Sequence, residues 1–360
     1  MKTDILIIGD GIAALVLSKI LLEKKFQTII VSKKSTRKKY LSPETLPPSV
    51  LPLLKKLNLL DIFYKFSTKT HSYQSVWGKD SVDNQSFFSY YPFNHGLKIK
   101  KSEIIKVLKK YSIHNMIYSD ALKNVSIHKN CVITEIIKDC SIQKITSRMV
   151  IDASGRNRVL ARKIGIKSRF FDRLIASTSH LPYFIPPGLN KSNLVESFPD
   201  GWGTVSSIDD KVNVISLFTE KMCSSLKELK NYGRWFDFLK QTNFLKKFLV
   251  DDSPRKINFS DASSSILSKV SGDNWLAIGD AAMSFDPIAS HGTSNALFCA
   301  DLSSKVIESF LEDSSSDSIL HYNTTLNKIF KEYLFQKTNL YKTEIRWSDR
   351  QFWNNFQSVS

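Results

Sequence analysis

The chain has few cysteines, no long apolar run and a shortage of acidic residues. Its 4 cysteines, at positions 131, 140, 223 and 299, form neither a C-x-x-C pair nor a metal-binding spacing. We therefore expect free thiols in a reducing compartment and no metal site. No apolar run approaches the roughly 18 residues of a membrane span, so no span is expected. A strand pattern beginning at residue 4 leaves no room for a signal peptide, and we expect a cytoplasmic location.

Net charge and chain length limit the expected binding partners and the number of domains. Lysine and arginine number 51 against 34 acidic residues, a net charge of +17. This excess fits a solvated lysine surface, a surface that attracts an acidic peptide or protein, or a nucleic-acid surface. Because no basic helix, finger or aromatic-basic RNA motif is present, nucleic acid is not an expected partner. A chain of 360 residues with 42% hydrophobic content suits one large domain or two closely joined domains.

The N-terminal motif indicates a dinucleotide site. Residues 4–8 form an apolar strand, followed by a G-x-G-x-x-A loop, an apolar helix over residues 15–22 and a second strand over residues 28–31. The first glycine permits a tight turn, the second lets a pyrophosphate approach the backbone, and the alanine lets helix and sheet pack closely. The predicted cofactor-binding residues here are Gly9, Gly11, Ile12, Ala13 and Ala14.

Two later segments carry further motifs. The first reads Asp152-Ala153-Ser154-Gly155-Arg156 after a β-type run. The second follows a buried strand over residues 275–278 and reads Gly279-Asp280, then Asp286-Pro287, then Ser290-His291-Gly292 before a helix. Either segment alone is weak evidence. Together with the N-terminal loop, and in this order and spacing, they resemble the FAD-dependent monooxygenase superfamily whose fold is typified by aromatic hydroxylases.

That resemblance implies FAD as cofactor. The N-terminal loop would hold the ADP half, Gly279 and Asp280 the ribityl chain, and the turn carrying Pro287 and Gly292 would lie beside the flavin ring. The sequence departs from the family at two positions. Ser32 stands where an acidic residue usually binds the adenosine ribose, and Lys101 stands where the family usually has arginine. We include both among the predicted cofactor-binding residues, and because neither side chain matches the usual one we expect weaker retention of FAD.

Other segments point to one branch of the superfamily. The turn Glu44-Thr45-Leu46-Pro47-Pro48, the pair Trp77-Gly78, the segment Asp200-Gly201-Trp202 and the tail around Arg346-Trp347 resemble the flavin-dependent halogenase-like proteins. The similarity is greatest to monooxygenases that oxidise a protein-bound tryptophan during maturation of a tryptophylquinone cofactor. This resemblance implies hydroxylation of an electron-rich aromatic through a flavin C4a-hydroperoxide, using O₂ and an external reductant. NAD(P)H and a partner flavin reductase both remain open as that reductant.

We predict an α/β fold: a Rossmann-type FAD-binding domain like that of aromatic hydroxylases, an antiparallel β-sheet substrate domain and a helical C-terminal tail. The FAD domain is expected to be discontinuous. Its first part covers residues 1–165 and its return segment residues 262–313. The substrate domain covers residues 166–261, where strands are predicted over 194–198 and 212–218, and the tail covers residues 314–360.

Halogenation is a second function to weigh against oxygen transfer. True tryptophan halogenases carry a W-x-W-x-I-P segment, a catalytic lysine and a glutamate before the flavin-side turn. Here Trp202 stands alone, Ala289 occupies the glutamate position, and Lys79 is interpreted as a surface lysine. Oxygen transfer is therefore favoured over halogenation. A non-oxygenating oxidoreductase of the geranylgeranyl-reductase type, a small-molecule aromatic hydroxylase and a binding protein that has lost FAD also remain open.

The candidate catalytic and substrate-binding residues are inferred from their expected positions near the flavin and the cavity. His291 lies on the turn expected beside the flavin, and Glu44 and Glu196 are the acids expected near the cavity, where a buried carboxylate can act as a base. Trp77 and Trp202 are predicted cavity walls, because an adjacent glycine lets the backbone approach a ligand. Trp347 and Trp353 are predicted to be packing residues.

Overall fold

The structure is a computed structural model that describes residues 1–34, 44–87, 89–90, 92–190, 192–208, 211–220, 231–240, 242–251, 255–313 and 317–357. Cys223 and the predicted boundary at residue 314 lie outside these residues.

The helices and strands of the first part are β1 Lys2–Ile8, α1 Ile12–Glu23, β2 Thr28–Lys33, β3 Glu44–Leu46, α2 Leu51–Lys56, α3 Leu60–Lys65, β4 Ser67–Thr70, β5 Ser72–Val76, β6 Asp83–Ser86, β7 Gly96–Ile99, α4 Lys101–Tyr111, β8 Met116–Ser119, β9 Ala121–Ile127, β10 Val132–Lys138, β11 Ser141–Asp152 and α5 Val159–Lys163. Those of the second part are β12 Ser168–Phe170, β13 Leu174–Pro182, β14 Asn193–Phe198, β15 Gly201–Ile208, β16 Val212–Glu220, α6 Tyr232–Lys240, β17 Asn258–Asp261, β18 Ser265–Leu267, β19 Ser271–Gly272, β20 Trp275–Ala277, β21 Met283–Ser284, α7 Gly292–Asp313, α8 Asp317–Lys342 and α9 Gln351–Gln357.

A mainly parallel sheet forms the core of the cofactor side. Its order is β19-β20-β11-β1-β2-β8, and β1 pairs in parallel with both β11 and β2. Ile5, Leu6 and Ile7 of β1 are fully buried, as expected for a continuous apolar strand covered on both faces. The carboxyl ends of β1, β2 and β11 meet at one edge, where α/β sheets bind ligands.

The second large sheet, called here the substrate-side sheet, has the order β17-β13-β16-β15-β14-β5-β6. Its pairings are antiparallel except for β14 with β5. One face packs on the apolar side chains of α6 and the 3-10 helix Leu245–Phe248. The predicted strands at 194–198 and 212–218 are confirmed, but the sheet also takes β5 and β6 from the N-terminal part of the chain.

The C-terminal helices join this sheet to the cofactor side. Tyr341, Phe352, Trp353 and Phe356 form a buried aromatic cluster with Trp202. The connection is also polar: the buried Glu344 carboxylate accepts hydrogen bonds from Gly78 N at 2.7 Å, Ser197 Oγ at 2.5 Å and Arg346. The tail is thus an integral part of the folded chain, and the predicted α/β architecture with helical C-terminal segments is confirmed. Within the described residues, no helix is both long and apolar enough to cross a membrane.

Candidate functional site: a glycine-rich cradle and an adjoining cavity

The loop after β1 forms a cradle for an anion. Gly9 has φ +121°, and a Cβ there would lie 2.3 Å from the carbonyl oxygen of Ala153, so only glycine fits the turn. At Gly11 a Cβ would meet no heavy atom of a non-neighbouring residue within 4 Å. Helix α1 then begins without a side-chain cap or an acidic residue in its first turn. The first-turn amides of any helix, here those of Ile12 and Ala13, have no intrahelical partner. Because no side chain caps them, they are available to bind a pyrophosphate.

The late glycine turn packs directly on this loop. Gly279 has φ +57°, and a Cβ there would lie 3.2 Å from the Cβ of Ala13. Ala14 is fully buried, which allows α1 to pack closely on the sheet. Ser32 is the last buried residue of β2, at the same edge of the sheet. The N-terminal glycine loop and the late glycine turn, which were predicted to bind one cofactor, are therefore in contact.

Charged groups surround the mouth of the cradle. Asp10 forms an ion pair with Lys109 at 2.6 Å. The carboxylate of Asp280 lies 3.8 Å from the guanidinium of Arg156. Burial raises the pKa of Asp280, and the positive charges of Arg156 and Lys101 oppose this effect. Arg156 is fixed by donating to the carbonyl oxygens of Ser263 and Phe285. Sequence motifs indicated Arg156, but its partners became visible only in the structure.

Lys101 and Glu44 form a half-buried ion pair beside the cradle. Lys101, the first residue of α4, lies 2.5 Å from one oxygen of Glu44, and Thr293 donates its hydroxyl to the other oxygen. Burial opposes ionisation of Glu44, but the charge of Lys101 and the hydrogen bonds from Lys101 and Thr293 together outweigh it and lower the pKa of this carboxyl. Glu44 does reach the cavity described next. Its low pKa makes it a weak base and suits an electrostatic or positioning role.

A cavity of about 290 Å³ lies between the late turns and the substrate-side sheet. The turns contribute Asp280, Pro287 and Gly292. The sheet contributes small hydroxyl side chains and one amide: Thr178, Asn193, Thr204, Ser206, Ser216 and Ser260. Several of these polar groups are paired, for example Thr178 with Ser216 at 2.8 Å. Alternation along β15 places Thr204 and Ser206 on the same face as Trp202. That pattern was the available signal for these cavity residues, which no sequence motif had marked.

Tyr73 also lines the cavity. Burial raises the pKa of Tyr73 to about 12, and its hydroxyl interacts with Ser290. The phenol therefore remains neutral at physiological pH and provides a hydrogen-bond donor at the cavity wall. No pattern in the sequence singled out this residue.

The segment Phe285–His291, called here the partition turn, separates this cavity from a second one. The second cavity is an apolar groove of about 450 Å³ along one face of α8. Phe285, Ile288 and His291 line both spaces. The ring of His291 lies 5.8 Å from that of Phe285, and desolvation lowers the pKa of the imidazole. His291 is therefore neutral near pH 7 and can accept a proton at this boundary.

The structure corrects the predicted location of Glu196. Val195 of β14 lines the cavity, so Glu196 points to the opposite face of the sheet. Its buried carboxylate accepts backbone hydrogen bonds from Asn243 at 2.6 Å, from Phe244 and from Leu245 at 2.7 Å. It therefore holds the 3-10 helix that covers the sheet and does not contact the cavity.

The two predicted tryptophan walls also differ from expectation. Trp77 packs edge-on against Tyr341 and Trp353 and donates to the carbonyl oxygen of Leu340 at 3.1 Å. Trp202 is buried behind Phe218, on which it stacks at 4.0 Å, and donates to the Tyr341 hydroxyl at 2.8 Å. Neither indole lines the cavity, because the C-terminal helices cover that end of the sheet. Trp353 is fully buried, as a packing residue should be.

Comparisons with known proteins bear on this geometry. No protein-family model matches the chain. It is 26% identical over 220 residues to a putative FAD-dependent oxidoreductase, LodB, of Marinomonas mediterranea, covering 61% of this chain and 58% of that protein. It is 28% identical over 217 residues to a brominase of 1H-pyrrole-2-carbonyl peptidyl-carrier protein from Pseudoalteromonas luteoviolacea, covering 56% and 52%. The chain thus spans about half the length of the curated relatives it matches.

Solved structures share the fold over nearly the whole chain. The flavin-dependent halogenase CmlS matches with a TM-score of 0.86 at 21% identity, covering 100% of this chain and 68% of that one. The peptidyl tryptophan dihydroxylase QhpG, described as essential for tryptophylquinone cofactor biogenesis, matches with a TM-score of 0.78 at 15% identity, covering 99% and 79%. The chain therefore shares the fold of flavin-dependent halogenases and is similar in sequence to a putative FAD-dependent oxidoreductase, and its glycine cradle is of the kind that holds a dinucleotide such as FAD.

Proposed function

We propose that the protein is an FAD-dependent monooxygenase that hydroxylates an electron-rich aromatic ring, a tryptophan in a peptide or partner protein. The observation that carries this proposal is the cavity beside the partition turn. Small hydroxyl side chains, among them Thr204 and Ser206, leave about 290 Å³ free next to the turns expected to hold the flavin. A ring admitted there would lie close enough to the cofactor for direct oxygen transfer.

The residues around the cavity have roles that suit this reaction. When bound and reduced, FAD supplies the electrons that activate O₂. One oxygen atom enters the ring and the other leaves as water, with both electrons drawn from NAD(P)H or a partner reductase. Neutral His291 is positioned to accept the proton that the ring loses. Phe285 and Ile288 exclude water from the boundary between cavity and groove, while Arg156 and Lys101 supply positive charge at the cofactor side.

Two positions weigh against halogenation. Lys79 is half-exposed and paired with Asp83 at 2.6 Å on the β5–β6 hairpin, outside both cavities. Ala289, at the position that matches the halogenase glutamate, presents only a methyl group to the groove. Similarity to a brominase and to CmlS favours halogenation as the second candidate function. The brominase acts on a carrier-bound pyrrole, so both candidates accommodate a substrate attached to a protein.

Charge supports a polypeptide substrate. The chain carries +17 overall. Lys328 lines the groove, and Lys331 lies about one turn farther along α8, beside the acidic Glu332. A chain with this net charge attracts an acidic segment, and this attraction weakens once the Debye length falls below about 10 Å. Remote contacts with the polypeptide would also favour it over free tryptophan.

The test uses purified FAD-loaded protein, a flavin reductase with NADH, O₂, and excess chloride and bromide. Substrates are an acidic tryptophan-containing peptide, the same peptide with its acidic residues neutralised, and free tryptophan. We expect the acidic peptide to gain the mass of one or more oxygen atoms, at a rate that falls as salt is raised. A halogen isotope pattern would instead establish the second candidate, and Lys79→Ala would then test whether this lysine participates. Efficient, salt-independent turnover of free tryptophan would refute the polypeptide substrate.

A further inference from the structure

A buried charge cluster lies directly behind the partition turn. The ammonium of Lys337, on α8, donates to the Asp172 carboxylate and to Ser264 Oγ at 3.0 Å, and lies 3.6 Å from Asp286 Oδ2. The side chains of Lys337, Asp172 and Asp286 are 7%, 2% and 0% exposed. One positive and two acidic groups therefore share a nearly dry site that connects α8, the β12–β13 loop and the partition turn.

Asp286 links this charge cluster to the partition turn. Its Oδ1 accepts the backbone N–H of Ile288 at 3.0 Å, and its Oδ2 accepts the hydroxyl of Tyr341 at 2.8 Å. Its own N–H donates to the hydroxyl of Tyr333 at 2.7 Å. Three side chains of α8, including Lys337, thus converge on one residue of the turn. The next residues, Pro287 and Ile288, line the cavity.

The network extends to the substrate-side sheet. Tyr341 accepts the indole N–H of Trp202, which stacks on the cavity residue Phe218. Helix α8 is therefore connected to both walls of the cavity, the partition turn on one side and β15–β16 on the other. The tertiary contacts join groups that lie far apart in the sequence, such as Asp172 and Lys337.

Stability alone is a poor explanation for this cluster. Removing two carboxylates and an ammonium from water is costly, and well-packed apolar side chains often stabilise a buried site equally well or better. Charged hydrogen bonds do provide directional control of the groups they connect. We propose that Lys337 and Asp172 are positioning residues, which hold the partition turn in the geometry that governs reaction of the reduced cofactor with O₂. This inference rests on the proposed FAD-dependent function.

The test compares Lys337→Met and Asp172→Asn with the wild type. Asp172→Asn keeps the shape of the side chain and an oxygen acceptor, so it is the variant expected to fold even if Lys337→Met does not. The matched control is Lys342→Met, an exposed lysine on the same helix. Four quantities are measured: thermal unfolding of the apoprotein, FAD affinity, the flavin absorption spectrum, and the stopped-flow rate at which O₂ reoxidises the reduced protein. The last measurement requires no organic substrate.

We expect both cluster variants to bind FAD with an affinity within about threefold of wild type. The flavin absorption bands should shift, and the reoxidation rate should change by about tenfold in Lys337→Met and less in Asp172→Asn, as displacement of a reactive group can do. Lys342→Met should match the wild type. A folded, FAD-bound Asp172→Asn variant with wild-type bands and rate would overturn the inference, whatever the fate of Lys337→Met. Failure of the wild type to bind FAD would instead refute the proposed function.

Discussion

Substitution of Gly11 by glutamate should abolish useful FAD binding while leaving the protein folded. Gly11 has φ −78°, which every residue type adopts, and its missing Cβ faces open space. A glutamate there places a bulky anion where the pyrophosphate is expected. The first-turn amides of α1, those of Ile12 and Ala13, then lose their ligand. Two hydrogen bonds to a charged group are worth roughly 1.5–3 kcal/mol each, so the loss is at least about 3 kcal/mol, or more than about a hundredfold in Kd.

The assay is titration of apoprotein with FAD, followed by flavin fluorescence, together with urea unfolding of the apoprotein. Unfolding free energy should change by no more than about 0.5 kcal/mol, as for surface substitutions without a special contact. Gly9→Ala is the matched control. Its Cβ would lie 2.3 Å from the Ala153 carbonyl oxygen at a φ of +121°, so we expect that variant to lose stability. Normal FAD occupancy in a folded Gly11→Glu protein would refute the cradle assignment.

Three further predictions concern the surroundings of the cradle. Asp280→Ala should weaken FAD binding by about 1–3 kcal/mol, less than Gly11→Glu, and an equal or greater loss by titration would contradict the expected role at one end of the cofactor. Glu196→Ala leaves buried amides without acceptors and should cost at least about 2 kcal/mol in urea unfolding, whereas a selective loss of turnover in folded protein would restore Glu196 as a catalytic candidate. In the folded protein the pKa of Glu44 lies below 4.5, so the ion pair with Lys101 stabilises the fold above that pH. This stabilisation is lost as the pH falls and the carboxyl becomes protonated. The unfolding free-energy difference between the wild-type and Lys101→Met apoproteins should therefore shrink from about pH 6 to about pH 3, and a pH-independent difference would argue against the pair.

The sequence by itself determined the cofactor side of this protein. Gly9 and Gly11 were predicted because a tight turn and a helix N-terminus open to a phosphate are local requirements with a local sequence pattern, whereas Gly279 was predicted from the family resemblance. Apolar runs likewise predicted strands in both sheets, at residues 4–8 and 28–31 in one and at residues 194–198 and 212–218 in the other. Such features depend on a few consecutive residues, and the structure contains the backbone conformation that those residues require.

Only the tertiary structure decided which side chains face the cavity. Glu196 lies on a predicted strand and Trp202 on the strand that follows it. The covering 3-10 helix binds the Glu196 carboxylate, and Tyr341 of the C-terminal helices binds the Trp202 indole. The grouping of Asp172, Lys337 and Asp286 left no pattern in the sequence, because their attraction depends on burial and on distances set by α8 and the partition turn. Local sequence patterns specify the helices and strands. The partner of a buried charge or indole that lies far away in the sequence depends on how distant helices and strands pack together.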